Sequence, residues 1–76
     1  PILRINLGSF GEFDTPLEVF DQEFLITVPI SEKITGYLAG KFYNKKEAQN
    51  YQEKMQKNGF KTAKIVAFKD GEKLDF

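Results

Sequence analysis

The side chains that could do chemistry lie in the first apolar run of the chain. Arg4 and Asn6 alternate with apolar residues, and Ser9 follows shortly after them. Amide and hydroxyl groups can hydrogen-bond the hydroxyl and N-acetyl groups of a carbohydrate, and Arg or Lys can pair with a carboxylate. We therefore interpret this run as a ligand-binding strand. The simpler alternative is that these three side chains are only solvated.

The composition excludes most kinds of catalytic centre. The 76 residues include no His, Cys or Trp. A Ser–His–Asp triad, a Cys–His dyad, an HExxH zinc helix and a disulfide framework all need His or Cys. Metal sites built only from oxygen ligands need a dense acidic loop, which the sequence lacks. A domain of this size typically has a stability on the order of 3–5 kcal/mol, which leaves little room for a strained active site. We expect neither an enzyme nor a bound cofactor or metal.

The charges are balanced overall but separated along the chain, with eleven Lys and Arg against eleven Asp and Glu. Residues 1–32 carry one basic and six acidic side chains, whereas residues 33–64 carry eight basic and two acidic ones. This asymmetry indicates either a basic binding face or lysines on one solvated helix. Because zero net charge is low for strong phosphate binding, we do not expect a nucleic-acid partner.

One helix is predicted near residues 45–57. Asn44 is a suitable N-cap, and Gly59 can supply the left-handed stop after the helix. Apolar residues at 3–4 spacing form a single stripe between them: Ala48, Tyr51 and Met55.

The pattern for a second helix is shorter. Thr15-Pro16-Leu17-Glu18 is a capping-box pattern, but the apolar residues after it allow only a turn or two, so we expect a helical stub or an ordered loop.

Strands are predicted at residues 3–7, 24–28, 34–41 and 62–69, and the tail 72–76 can pair back after an Asp-Gly turn. The run Leu-Gly-Ser-Phe at residues 7–10 recurs as Ala-Gly-Lys-Phe at residues 39–42. We expect each glycine where its strand ends and the chain turns toward a helix. Two such halves predict a ferredoxin-like α+β fold, βαββαβ. It has a four-stranded antiparallel sheet, one main helix and a short or missing first helix.

The helices of this fold cover one face of the sheet, yet the strand at residues 62–69 is apolar on both faces. The apolar surplus indicates a ligand or partner surface on the open face, or else a face covered by the C-terminal strand and Phe76. RNA is the competing ligand for this fold, but Tyr37 has the wrong parity to stack outward on the third strand. The candidate binding residues are Arg4, Asn6, Ser9, Leu38, Lys64, Val66 and Phe68.

Three segments resemble the SPOR (sporulation-related repeat) domain family. Leu-Arg-Ile-Asn-Leu-Gly-Ser-Phe at residues 3–10 is similar to the family's opening strand, apolar-x-Val-Gln-x-Gly-Ser/Ala-Phe. Residues 36–48, which include Tyr-Leu-Ala-Gly-Lys-Phe and end in Glu-Ala, resemble its second repeat. Residues 57–71 resemble its closing segment, with a Gly-aromatic turn, an Ala-x-Val-Val-Ala-aromatic strand and Asn/Asp-Gly. The chain departs from the family where Asn6 replaces Gln and where Gly36 stands at a position often occupied by Arg.

The resemblance implies a non-catalytic module that binds peptidoglycan on the open sheet face. The ligand would be glycan strands stripped of stem peptides, and the module would tether an envelope or cell-division protein in the bacterial periplasm or cell envelope. We expect residues 1–76 to be one domain of a longer protein, because the sequence begins at Pro1 rather than Met. No membrane contact by the domain itself is expected. The alternative is a protein-interaction or self-association module of the same fold, including a homodimer through the open face.

Overall fold

The computed structural model describes residues 1–69 and 72–74. Its strands are β1 (Ile2–Gly11), β2 (Ile26–Pro29), β3 (Ile34–Phe42), β4 (Lys64–Lys69) and β5 (Glu72–Leu74), and its main helix is α1 (Lys45–Lys57). The strands form one antiparallel sheet in the order β2-β3-β1-β4-β5. The α+β prediction is confirmed. A four-stranded antiparallel sheet with one main helix is compatible with a ferredoxin-like fold, and β5 extends it beside β4.

Helix α1 begins and ends as its sequence predicts. The Asn44 side-chain oxygen accepts hydrogen bonds from the backbone N–H groups of Lys46 at 2.7 Å and Glu47 at 3.4 Å. After the last turn, Gly59 has a φ of +107°, and the Phe60 N–H bonds back to the Met55 carbonyl at 2.9 Å. These bonds satisfy backbone groups that a helix terminus leaves unpaired.

The connection between β1 and β2 contains only a five-residue 3₁₀ helix, Leu17–Asp21. The predicted short first helix is therefore confirmed, but the capping box is wrong. Pro16 occupies the N-cap position without a side-chain bond, and the Thr15 hydroxyl instead donates to the Gly11 carbonyl at 3.0 Å. The proline side chain has no hydrogen-bond acceptor, so it cannot cap the first N–H groups of this turn. The phenol of Tyr51 on α1 donates to the Gln22 side chain and so ties the connection to the helix.

Two glycines create bulges inside the central strands. Gly8 has a φ of +121° and Gly40 a φ of +79°, backbone conformations that residues with a side chain rarely adopt. The β1–β3 pairing shifts register between Leu3 and Ile5, opposite residues 39–42, and again between Asn6 and Gly8. The expectation that each glycine ends its strand is wrong: β1 continues to residue 11 and β3 to residue 42. A bulge accommodates one extra residue without ending the ladder.

The hydrophobic core lies between the sheet and α1. Leu3, Ile5 and Leu7 of β1 are buried against the helix, as their alternation predicts. The other buried members of the core are Val19, Tyr37, Ala39, Ala48, Met55, Phe60, Ala63 and Ala67. The helix covers one face of the sheet only, so the polar and apolar side chains of the opposite face form a separate surface.

Candidate functional site

Pairing across the sheet places the seven sequence-predicted site residues on one face. Asn6 lies opposite Leu38 on β3 and opposite Lys64 on β4. Arg4 lies opposite Val66, and the next pair toward the strand end is Ile2 with Phe68. Directly opposed residues in an antiparallel ladder project to the same side. We call this side the open face; it is the face opposite α1.

Ser9 reaches the open face because of the bulge at Gly8. In a regular strand, residue 9 would follow Leu7 toward the helix side, since side chains alternate with a period of two. The extra residue reverses the alternation, so that Phe10 packs against the core and Ser9 lies opposite Gly36. The bulge therefore adds a hydroxyl group to the surface that carries Arg4 and Asn6.

Two adjacent depressions occupy the open face. The first, the basic groove, has a volume of about 620 Å³ and is lined by Pro1, Ile2, Arg4, Ile26, Val28, Leu38, Tyr43, Phe68 and Lys69. The second, the neutral pocket, has a volume of about 270 Å³ and is lined by Asn6, Ser9, Val28, Ile30, Gly36, Tyr37, Leu38, Val66 and Phe68. Val28, Leu38 and Phe68 are common to both, so the two depressions form one continuous surface.

Arg4 and Asn6 each bind a bulge glycine as well as lining a depression. Arg4 donates from Nη1 to the Gly40 carbonyl at 3.0 Å. The Asn6 side-chain oxygen accepts from the Gly8 N–H at 2.9 Å. A guanidinium has five N–H donors and an Asn amide has two, so both side chains keep donors for a ligand. The two residues are therefore structural and candidate binding groups at once, which the sequence did not indicate.

The other predicted site residues differ in exposure. Leu38 and Val66 are buried, 7 % and 8 % exposed, although they lie outside the core against α1. Phe68 is half-buried and lines both depressions. Lys64 is exposed on the same face, but it lines neither depression. The structure thus places six of the seven residues on the walls of one surface and Lys64 at its margin.

Strand β2 provides most of the wall that sequence reasoning missed. Ile26 and Val28 lie opposite Leu38 and Gly36, and they are 38 % and 39 % exposed. Ile30, just past the strand, is 59 % exposed and lines the neutral pocket. The period-two pattern of Ile26, Val28 and Ile30 was the signal that could have identified this wall. Tyr43 and Lys69 complete the basic groove without a comparable sequence pattern.

The charges that line the two depressions have one sign. Arg4 and Lys69 line the basic groove, and neither depression has an Asp or Glu among its described lining residues. The acidic side chains of residues 12–23 lie instead in the connection between β1 and β2. Among the lysines, Lys46, Lys54 and Lys57 lie exposed on α1. The open face therefore suits a ligand that is neutral or carries carboxylates.

The sequence left open whether the C-terminal strand and Phe76 cover this face. The backbone of β5 pairs in register with residues 67–69 of β4 and widens the sheet at its edge. Phe76 and the Asp70-Gly71 turn lie outside the described residues. Tyr37 faces the core, as its parity predicts, and its ring approaches those of Phe10 and Phe20.

The described part of the chain contains no cluster of three or more His, Cys, Asp or Glu side chains arranged to hold a metal ion. None of the helices in residues 1–69 and 72–74 is both long enough and apolar enough to cross a bilayer.

Comparison with protein-family models, with curated proteins and with solved structures found no match for this chain.

Proposed function

We propose that this domain is a non-catalytic carbohydrate-binding module that holds peptidoglycan glycan strands on its open face. The observation that carries the proposal is the interleaving of polar donors and apolar walls on the sheet face that no described helix covers. Arg4, Asn6 and Ser9 run along β1, and apolar side chains of β2, β3 and β4 flank them. Binding sites are typically apolar surfaces with a few placed polar groups, and this face has that composition.

A glycan strand matches the surface in shape and charge. Sugar rings present flat C–H faces to apolar side chains such as Phe68 and Ile26, while their hydroxyl groups need hydrogen-bond partners. The lactyl groups of denuded strands carry carboxylates, which Arg4 and Lys69 can pair with in the basic groove. An extended ligand can occupy both depressions, because Val28, Leu38 and Phe68 are shared by the two.

The resemblance to SPOR domains supports the same ligand and implies a cellular role. A domain that binds denuded strands would tether a larger envelope or cell-division protein in the bacterial periplasm or cell envelope. The candidate contact residues are the polar set on β1 with Leu38, Val66 and Phe68, and Lys64 at the margin. The departures from the family at Asn6 and Gly36 lie within the neutral pocket.

The test is a pull-down with purified sacculi, intact or treated with an amidase that removes stem peptides. We expect the domain to be enriched on amidase-treated sacculi. Val28→Ser should reduce that enrichment, whereas Lys57→Ser, on the exposed face of α1, is the matched control and should not. Equal recovery on intact and amidase-treated sacculi would contradict the proposal.

Self-association through the open face is the second candidate. The exposure of Ile26, Val28 and Ile30 on one edge of the sheet favours it, because contiguous exposed apolar groups often mark protein interfaces. Sedimentation velocity across a hundredfold concentration range separates the two functions. A tight dimer that Val28→Ser dissociates would support self-association and disfavour glycan binding at that face.

A further inference from the structure

The neutral pocket differs from the basic groove in its chemistry. None of its described lining residues is charged, and its polar lining residues are Asn6, Ser9 and Tyr37. The remaining walls are aliphatic or aromatic, with Val28 and Ile30 on one side and Val66 on the other. A group that enters must therefore be uncharged and must combine a small apolar part with a hydrogen-bonding part.

The bulge at Gly8 decides which hydrogen bond Asn6 can offer. The Gly8 N–H donates to the side-chain oxygen of Asn6 at 2.9 Å, which fixes that oxygen as the bonded end of the amide. The Asn6 Nδ2 N–H groups are left as donors, and the exposed hydroxyl of Ser9 is a second donor close by. The pocket is therefore built to recognise an acceptor such as a carbonyl oxygen.

Gly36 provides the space between these donors and the apolar wall. A Cβ at residue 36 would lie 3.3 Å from the Ser9 hydroxyl oxygen and 3.5 Å from the Ile30 Cδ1 atom. The φ of Gly36 lies outside the left-handed region, so the backbone there does not require glycine. The absence of a side chain at residue 36 leaves space on the pocket floor between the Ser9 hydroxyl and the Ile30 methyl group.

We propose that the neutral pocket is an acetamido subsite, which rests on the proposed glycan function and names the group it reads. The carbonyl oxygen of an N-acetylhexosamine accepts hydrogen bonds from Asn6 Nδ2 and Ser9. Its methyl group lies over Gly36 against Val28 and Ile30. A free amine at the same sugar position would bring a positive charge into a pocket with apolar walls and no carboxylate, which is unfavourable.

The first experiment uses denuded glycan strands in three forms: native, chemically N-deacetylated, and N-deacetylated then re-N-acetylated. We expect deacetylation to weaken binding by at least about tenfold, because a site built to hydrogen-bond one group rejects an analogue that lacks it. Re-acetylation restores binding, and re-acylation with the bulkier butyryl group does not. Equal affinity for the native and deacetylated strands would overturn the subsite while leaving the glycan proposal intact.

The second experiment follows the backbone amide resonances of Ser9 and Gly36 during titration with N-acetylglucosamine oligomers. We expect both to shift with these oligomers and not with glucose oligomers of equal length. If sacculi fail to bind but these resonances still shift selectively, the peptidoglycan proposal fails and the acetamido subsite remains. Unperturbed Ser9 and Gly36 resonances at millimolar oligomer would overturn the subsite.

Two variants separate the subsite from fold stability. Gly36→Val fills the pocket floor, and its Cβ would lie 3.3 Å from the Ser9 hydroxyl oxygen. Because this contact is tight, we expect a folded domain with a somewhat lower melting temperature and at least about tenfold weaker binding to N-acetylated strands. Asn6→Asp keeps an acceptor for the Gly8 N–H and removes the Nδ2 donors, and we expect the same loss of binding to N-acetylated strands. Thr27→Val, exposed on the opposite side of β2, is the matched control and retains wild-type binding. Wild-type acetyl selectivity in Gly36→Val would overturn the inference.

Discussion

The two faces of the sheet use the same strands for different purposes. Along β1, Leu3, Ile5 and Leu7 are at most 5 % exposed on the helix side, whereas Arg4 and Asn6 are partly exposed on the open face. The helix side is closed by α1, and none of the described residues buried there is polar or charged. The open face keeps apolar walls exposed and places hydrogen-bond donors between them. Along β1, the residues that stabilise the core and the candidate binding residues therefore alternate one by one.

The bulge glycines are where the two faces depend on each other. Phe10 and Phe42 follow Gly8 and Gly40 by two residues, and both rings pack against the core. On the open face, Asn6 and Arg4 bond the backbone of the same glycines. The internal repeat in the sequence therefore forms a glycine bulge in each central strand, and each bulge connects the packing of the core to the position of a candidate binding side chain.

The strongest test of this comparison is truncation of one apolar residue on each face. Ile5→Ala removes a fully buried side chain at the centre of the sheet, and we expect a loss of about 2–5 kcal/mol in the free energy of unfolding. Val28→Ala on the open face should cost less than about 1 kcal/mol but should weaken glycan binding. Urea denaturation measures the free energy of unfolding of both variants. Similar losses of stability would contradict the separation of the two faces.

The second test compares two glycines of β3. Gly40→Ala forces a residue with a side chain into a left-handed conformation, with its Cβ overlapping the Phe42 ring, so we expect a loss of roughly 1–3 kcal/mol in the free energy of unfolding. Gly36→Ala meets only contacts of 3.3 Å or longer and no unusual φ, and its stability should change by less than about 1 kcal/mol. Thermal unfolding of both variants is the measurement. A Gly40→Ala variant as stable as wild type would mean that the bulge is not constrained.

The third test separates the two polar residues that bracket the Gly8 bulge. Asn6→Ala removes the acceptor of the Gly8 N–H, and we expect it to cost about 1 kcal/mol of stability as well as binding. Ser9 is exposed and its hydroxyl bonds no other described residue, so Ser9→Ala should weaken binding without lowering the melting temperature. Calorimetry and the sacculus pull-down give the two readouts. An unchanged melting temperature in Asn6→Ala would show that the bond contributes nothing measurable.

Much of the fold was predictable because its signals are local. The N-cap at Asn44, the apolar stripe of α1 and the alternation of β1 each depend on a few neighbouring residues. The bulges were not predicted, because a glycine at a strand end and one inside a strand leave the same pattern in the sequence. The wall formed by Ile26 and Val28 depends on which strand pairs with β3, and this is a long-range property.

The smallest expected effect concerns the bond that holds the β1–β2 connection against α1. Burial raises the pKa of Tyr51 above its usual value of 10.0, and the nearby Glu23 carboxylate raises it further. The folded protein therefore retains the phenol proton to a higher pH than the unfolded chain. This contribution to stability is fully present below pH 10 and is lost as the pH rises through the folded-state pKa.

Tyr51→Phe should flatten the decline in stability above pH 10 while leaving the binding of the open face at neutral pH unchanged, because Tyr51 lines neither depression. Urea denaturation between pH 8 and about 11 measures the slope. The same alkaline decline in both proteins would show that the ionisation of Tyr51 does not contribute to it.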